Sequence, residues 1–302
     1  MNAEKTLIVI AGPTAVGKTA FAIQLAKHFK TEIISADSRQ FFRELTIGTA
    51  KPDSEELAEI PHHFINTHSI SEEYNAGKFE QEASATIDEL FLKFDYLILV
   101  GGSGLYINAV CDGFDAIPAV DEDIRMQLID VYKQQGISSL QKQLQELDPT
   151  HYAAIDLNNP QRLMRALEIC ISTGKPYSSF RKGAGKKRKY HIMKIGLNVE
   201  RELLYDRINA RVDEMIDAGL LNEVRELVPY KHFNALQTVG YKELFDYLDD
   251  KCTLKRAVEL IKQNTRNFAK RQLTWFRRDS EINWFRPEDI QSAIEFISKK
   301  SH

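Results

Sequence analysis

The chain reads as an α/β fold, a parallel sheet flanked by helices, into which an all-helical block is inserted. Three observations carry this reading. Apolar, β-rich runs at 6–11, 31–38 and 95–104 alternate with stretches of helical spacing, and each later run ends in polar or glycine residues. Strand, helix, strand, helix, strand in that order implies a parallel sheet covered by helices, because parallel neighbours need a crossover. After Asp112 come three helical segments with no strand between them, and "YHIMKIGLNV" at 190–199 then returns to strand pattern and rejoins the parent sheet. The expected organisation is a first part of the core at 1–111, a helical insertion domain at 112–189 and a mostly helical second part of the core at 190–302.

Each element has its own signal. Ala20, Ile23 and Ala26 give the stretch from Gly17 to Phe29 its helical spacing. Ser69 and Glu72 stand at capping-box spacing, and Phe79, Ala83, Ile87 and Leu90 line one face behind them. In the insertion, a first helix runs from about Asp121 to Gln135 and stops at Gly136. A second begins near Ser138, carries Leu140, Leu144 and Leu147 on one face, and stops at Asp148-Pro149. The third starts at Asn159-Pro160, an N-cap followed by proline at the first helical position, and runs through Leu163, Leu167 and Ile171 to Gly174. Helices dominate again at 200–218 and 253–277.

The 302 residues are 43% apolar and 27% charged, the balance of a soluble globular chain with a substantial core. The opening residues carry no basic stretch followed by an apolar one, so neither signal peptide nor membrane anchor is expected. Cys111, Cys170 and Cys252 are scattered and odd in number, which fits a reducing cytoplasm and no zinc site. His62, His63 and His68 lack metal-ligand spacing. The net charge of −3 hides two basic stretches. "RKGAGKKRK" at 181–189 holds six basic side chains and no acid, and 255–278 holds eight against Glu259 alone. The first is either a solvated loop or a phosphate contact. In the second, Phe268, Trp275 and Phe276 are either core anchors or base-stacking platforms.

The strongest motif is "GPTAVGKT", Gly12 to Thr19, set between a strand and a helix. Glycines let successive backbone N–H groups converge on phosphate oxygens, Lys18 neutralises charge, and Thr19 can hold Mg²⁺. A P-loop NTPase-like core follows. An ordinary P-loop ATPase places an acid at the end of a later apolar strand. Here that strand ends in Gly101-Gly102-Ser103-Gly104, and Asp95 lies at its other end. Ligands gather at the carboxyl ends of strands in open sheets, which turns attention to Asp37-Ser38 and Gly101 to Gly104. Asp37 could be a general base, a metal ligand or a cap, and Ser103 a phosphate donor or a turn residue. Arg207 and Arg211, four apart on one helical face beside Leu204, Ile208, Val212 and Met215, are anion partners or solvated edge residues.

Taken together, the residues resemble the tRNA dimethylallyltransferase (IPP transferase) family along nearly the whole chain. The likeness is carried by "GPTAVGKT" at 12–19, "ISADSRQ" at 34–40, "IGTAKP" at 47–52, "PHH" at 61–63 and "LVGGSGLY" at 99–106. It continues through "DPTHY" at 148–152, "NNPQRLMRALE" at 158–168, "ELLYDRINARVDEM" at 202–215, "TVGYKE" at 238–243 and "NTRNFAKRQLTWFRR" at 264–278. The resemblance implies transfer of a dimethylallyl group from dimethylallyl diphosphate to N6 of the adenosine 3′ to the anticodon of tRNA, the target base being extruded into a channel. Gly12, Thr14, Ala15, Val16, Gly17, Lys18, Thr19 and Arg211 would hold the diphosphate, with Mg²⁺ on Thr19. Asp37 would be the general base, Ser103 (threonine in many members) a donor to the leaving group, and Arg207 its neutralising cation.

The same resemblance gives Asp37, Ser38, Arg39 and Gln40, then Gln161, Arg162, Leu163, Met164 and Arg165, then Gln237, Gly240, Tyr241 and Lys242 to the anticodon stem-loop. It implies no membrane and no obligate protein partner. Three other readings compete: prenylation of free AMP, ADP or ATP, a small-molecule kinase, and a nucleic-acid binder whose P-loop is only structural. The insertion and the 161–165 patch favour tRNA over a free nucleotide. The glycine-ended strand disfavours a kinase, and Asp37 beside the cradle disfavours a mere binder.

Overall fold

The computed structural model describes residues 5–115, 118, 120–181 and 187–300. The chain forms two compact units, Met1–Cys111 with Arg188–His302, and Asp112–Lys187. In the first, the order is β1 (Thr6–Ala11), α1 (Lys18–Phe29), β2 (Ile33–Ser35), α2 (Ser54–Glu59), β3 (His62–His63), α3 (Ala76–Leu90), β4 (Tyr96–Gly101) and α4 (Gly104–Asp112). The second holds α5 (Glu122–Gln135), α6 (Ile137–Leu147), α7 (Pro149–Ala154) and α8 (Pro160–Thr173). The chain returns through β5 (His191–Leu197), α9 (Arg201–Asp217), α10 (Leu220–Glu226), α11 (Tyr241–Leu248), α12 (Leu254–Phe276), β6 (Asn283–Phe285) and α13 (Ile290–Lys300).

Among the described residues six strands form one sheet, all parallel, in the order β3-β2-β4-β1-β5-β6. β1 lies inside the sheet with both faces covered, which is why its sequence is a continuous apolar run rather than an alternating one. Its side chains still divide by parity. Ile8 and Ile10 join Phe21 and Leu25 of α1 and Ile297 of α13 on one face. Leu7 and Val9 meet Phe79 and Ile87 of α3 and Ile107 of α4 on the other. Truncating a fully buried residue such as Phe79 to alanine would cost about 3–5 kcal/mol. A third cluster joins α9 to α12 with Phe41, Phe42 and Leu45 from the segment after β2.

Several expectations need correcting. The strand expected at 31–38 shortens to Ile33–Ser35, because Asp37 turns the chain immediately after it. The Ser69–Glu72 box forms as a turn, with Glu72 Oε1 accepting from the Ser69 N–H at 2.7 Å, but starts no helix. The Ser69 hydroxyl donates to Glu44 instead, and α3 begins later under Asn75, whose Oδ1 accepts from the Gly77 and Lys78 N–H groups. β6 and α13 had no counterpart in the periodicity.

The helical unit closes around Leu128, Leu140, Leu144, Leu163 and Leu167, while Leu147 and Ile171 are 43% exposed. Buried Asp148 caps α7 through the His151 N–H and also accepts from the Ser178 N–H and hydroxyl, which holds its carboxyl below the usual range despite burial. Glu168, with no exposed surface, is paired with Arg125 at 3.0 Å and Arg165 at 3.2 Å. Residues 182–186 of the basic stretch lie outside the described residues. Arg188, at its end, turns inward onto Glu80 at 3.0 Å and the Ala109 carbonyl, so this cation serves the fold and not a ligand. Among the described residues no helix is long and apolar enough to cross a membrane.

Candidate active site

β1 delivers the chain to the phosphate cradle at the carboxyl edge of the sheet. Gly12 is tight against β5, where a Cβ would meet the Leu197 carbonyl oxygen at 2.8 Å. Gly17 takes φ 102° as the N-cap of α1, a left-handed conformation that favours glycine. Ala15 is also left-handed, at φ 62°. α1 has neither a side-chain cap nor an acid in its first turn, so its N-terminal N–H groups are left for an anion. The Lys18 ammonium donates to the Pro13 carbonyl at 2.7 Å. Burial pushes its pKa down to about 7, against the pull of Asp37 and with a smaller push from Arg211. A bound anion would restore its full charge.

Two cavities meet here. A polar one of about 510 Å³ is lined by Thr14, Gly17, Lys18, Thr19, Asp37, Lys51, Glu56, Arg211, Glu214 and Gln272. An apolar one of about 230 Å³ is walled by Ile208, Val212, Met215, Val239 and Ile261, with Ser38, Arg39 and Ser103. Thr14, Asp37, Thr49, Ala50, Arg211 and Phe268 line both. The place where they join is therefore bounded by a carboxylate and a guanidinium. Burial lowers the pKa of Arg211 from its ordinary value, opposed by Glu214 and Glu56, and it has no ion-pair partner among the described residues.

Asp37 fills one of the roles left open, that of a cap. Its Oδ1 accepts from the Arg39 N–H at 2.9 Å and the Gln40 N–H at 3.3 Å, which caps the turn after β2. Its Oδ2 takes no hydrogen bond among the described residues. Ser103 likewise serves a turn, its Oγ accepting from the Ser38 N–H at 3.0 Å, and it lines the apolar cavity rather than the polar one. Arg207 and Arg211 of α9 part ways. Arg211 lines both cavities, whereas Arg207 donates to the Val16 carbonyl at 3.3 Å and supports the cradle from behind.

The residues grouped for RNA contact also divide. Gln161, Arg162 and Arg165 are exposed on α8, but Leu163 and Met164 are packed into the core of the helical unit. The Gln40 amide donates to the Thr49 and Ala50 carbonyls and its oxygen accepts from the Ser35 hydroxyl, tying β2 to the cavity wall. Gly240 lines the apolar cavity, and Lys242 and Gln237 are exposed, Gln237 donating to the Lys231 carbonyl. Tyr241 is fully buried and donates to Glu223 at 2.5 Å, so its side chain is structural. In the basic helix α12, Phe276 is a core anchor while Phe268 and Trp275 are 38% exposed.

Two further residues escaped the sequence reading. Glu223 accepts from the Thr46, Ile47 and Gly48 N–H groups at 3.1, 2.7 and 3.1 Å, pinning the segment that becomes the Thr49–Ala50 wall. Gln272, 7% exposed, reaches the cradle from α12. No local signal marks Glu223. Gln272 sits within a motif already noted, but nothing in that motif says what it reaches.

Comparison with known proteins identifies the family. The family model described as IPP transferase matches residues 40–279. A tRNA dimethylallyltransferase of Christiangramia forsetii is 54% identical over 97% of this chain and 98% of its own. One from Azobacteroides pseudotrichonymphae is 52% identical over 98% of each. The crystal structure of the tRNA isopentenylpyrophosphate transferase from Bacillus halodurans superposes with a TM-score of 0.73 at 40% identity, covering 99% of this chain and 97% of that one. On fold and sequence alike, the chain belongs to the IPP transferase family.

Proposed function

We propose that this enzyme moves a dimethylallyl group from dimethylallyl diphosphate to N6 of the adenosine 3′ to the anticodon in tRNA and releases diphosphate. The observation that carries the reading is the meeting of the two cavities at Asp37 and Arg211. The polar cavity, with Lys18, Arg211 and the N-terminus of α1, suits a diphosphate. The apolar cavity suits a short branched alkyl chain and an aromatic base. A donor lying across their junction would have its scissile C1–O bond next to the Asp37 oxygen that takes no hydrogen bond among the described residues.

N6 attacks C1 of the donor, the N–C bond forms as C1–O breaks, and the bond's electron pair leaves with the diphosphate. Asp37 Oδ2 accepts the N6 proton, since an adenine amine is a poor nucleophile until it is oriented and relieved of that proton. Lys18 and Arg211 offset the charge gathering on the leaving oxygen. Arg207 acts at one remove, by holding the Val16 carbonyl and with it the loop. Ser103 orients the acceptor-side turn through Ser38.

Mg²⁺ fits the oxygen donors present. Thr19 opens α1 at the polar cavity, and Asp37, Glu56 and Glu214 line the same space. Thr19 would hold the ion, which when bound supplies positive charge to the diphosphate oxygens. On the acceptor side, Ser38 and Arg39 at the apolar cavity and exposed Arg162 would meet the anticodon stem-loop, whose target base must leave its stack to expose N6. Burial of Cys111 and Cys170, with Cys252 half-buried, suits a reducing, cytoplasmic setting.

The test is mass spectrometry of an unmodified anticodon stem-loop RNA incubated with the protein, dimethylallyl diphosphate and Mg²⁺, beside a reaction on AMP. Gain of one dimethylallyl group on the RNA alone is expected. Gain on AMP would move the assignment to nucleotide prenylation, and gain on neither would overturn it.

A further inference from the structure

The donor cradle and the acceptor-side turn come from distant parts of the chain, and one side chain joins them. Gln272 Oε1 accepts from the Thr14 N–H of the cradle at 2.9 Å. Its Nε2 donates to the Gly102 carbonyl at the end of β4, also at 2.9 Å. The amide can sit only one way round, because an N–H faces one end and a carbonyl the other. The next residue, Ser103, accepts from the Ser38 N–H, and Ser38 follows Asp37. An unbroken series of hydrogen bonds and chain neighbours thus runs from the diphosphate cradle through Gln272 to the proton acceptor.

Two further facts mark this bridge as built for position. The cradle spends a backbone N–H on it that an anion could otherwise have taken. Gly102 has no side chain where one would overlap Gln272 Nε2, although its φ lies outside the region that favours glycine. The glycine is there for the close approach. α12 is held down beside it by Trp275, which packs where a side chain on Gly104 would stand.

We propose that Gln272 is a positioning residue that sets the distance between the donor carbon and the acceptor nitrogen, and so governs the rate of transfer rather than the binding of either substrate. This rests on the prenyl-transfer reading of the site. Gln272→Ala should lower kcat by about 100-fold, the loss expected when reacting groups drift by about 1 Å. KM for dimethylallyl diphosphate and for the stem-loop RNA should each stay within about 3-fold, since neither charge partner is touched.

Gln272→Glu supplies a readout that loss of stability would not give. Ionised, its carboxylate faces the Gly102 carbonyl and repels it. Protonated, it offers the same donor and acceptor as the glutamine. Its kcat relative to wild type should therefore rise as pH is lowered from 9 to 6, as a carboxyl opposite a carbonyl holds its proton. Gly102→Ala should displace Gln272 and lower kcat on its own, yet add little in the Gln272→Ala background.

The measurement is steady-state and single-turnover prenylation of the stem-loop RNA by wild type and these variants, with thermal melting to establish folding. Folded Gln272→Ala with unchanged kcat would overturn the proposal, as would a loss confined to KM for the diphosphate. So would additive losses in the double variant or a flat pH ratio for Gln272→Glu. Failure of the wild-type enzyme to modify the RNA would instead overturn the reading on which the proposal stands.

Discussion

The sheet edge and the helical unit of this protein treat buried charge in opposite ways. Around the sheet edge, Lys18, Asp37 and Arg211 line a cavity with no ion-pair partner among the described residues, and burial leaves Lys18 near pKa 7. In the helical unit the buried acids are fully engaged, Glu168 between two arginines and Asp148 by three donors. A fold that only had to be stable would satisfy its buried charges internally, as the helical unit does. Charges left without ion-pair partners on a cavity wall are what binding of a charged ligand would require. The contrast says where to expect loss of activity and where to expect loss of stability.

The sharpest break should come at the unpaired charges. Lys18→Ala removes one of the cations facing the diphosphate and should cut kcat/KM for the donor by about 1,000-fold with little change in melting temperature. Asp37→Ala should lower single-turnover prenylation by at least about 100-fold while gel-shift binding of the stem-loop persists. Equal turnover in that variant would remove Asp37 as the base. On α9, Arg211→Ala should cost about 100-fold in kcat/KM and Arg207→Ala about 10-fold, because only the first lines both cavities. The reverse order would return the leaving-group role to Arg207.

The helical unit should show the opposite signature. Arg162, exposed and free of ion pairs among the described residues, should raise KM for the RNA several-fold on change to alanine and lower the salt slope by about one. Arg165→Ala should affect KM less and melting more, since Arg165 already serves Glu168. The smallest effect on activity belongs to Asp148→Asn, which should leave kcat and KM unchanged while costing about 2 kcal/mol of stability at neutral pH. Its carboxyl has a lower pKa folded than unfolded, so this stability is present above the unfolded value and is lost as pH falls through the folded one. Thermal melts of wild type and variant should accordingly differ at pH 7 and converge in acid.

Much of this was legible in the sequence where the cause is local. The cradle, the glycine-ended strand, the capped start of α8 at Asn159-Pro160 and the return strand at 190–199 each follow from residues within a turn or two of one another. What was not legible depends on distant partners. Ser69 and Glu72 have the spacing of a helix start, but Glu44 competes for the Ser69 hydroxyl and Asn75 provides the cap. Arg207 and Arg211 share one helical face, and only the packing of α9 against the loop separates a cavity wall from a backbone prop. Gln272 and Glu223 do their work across 170 residues or more of chain, beyond the reach of any periodicity.

The sheet order has a consequence for how the protein is made. β1 is paired on one side with β4 and on the other with β5, whose first residue is His191. While the ribosome is still making the helical unit, the phosphate-binding strand stands as an open edge of apolar residues, the kind of surface that recruits other chains. The helical unit has its own core and can fold during that wait. β5 must then emerge and cover β1, and α12 must follow to bring Gln272 down on Thr14. The cradle is thus made well before the two elements that complete it, so a nascent chain carries no finished active site until α12 has left the ribosome.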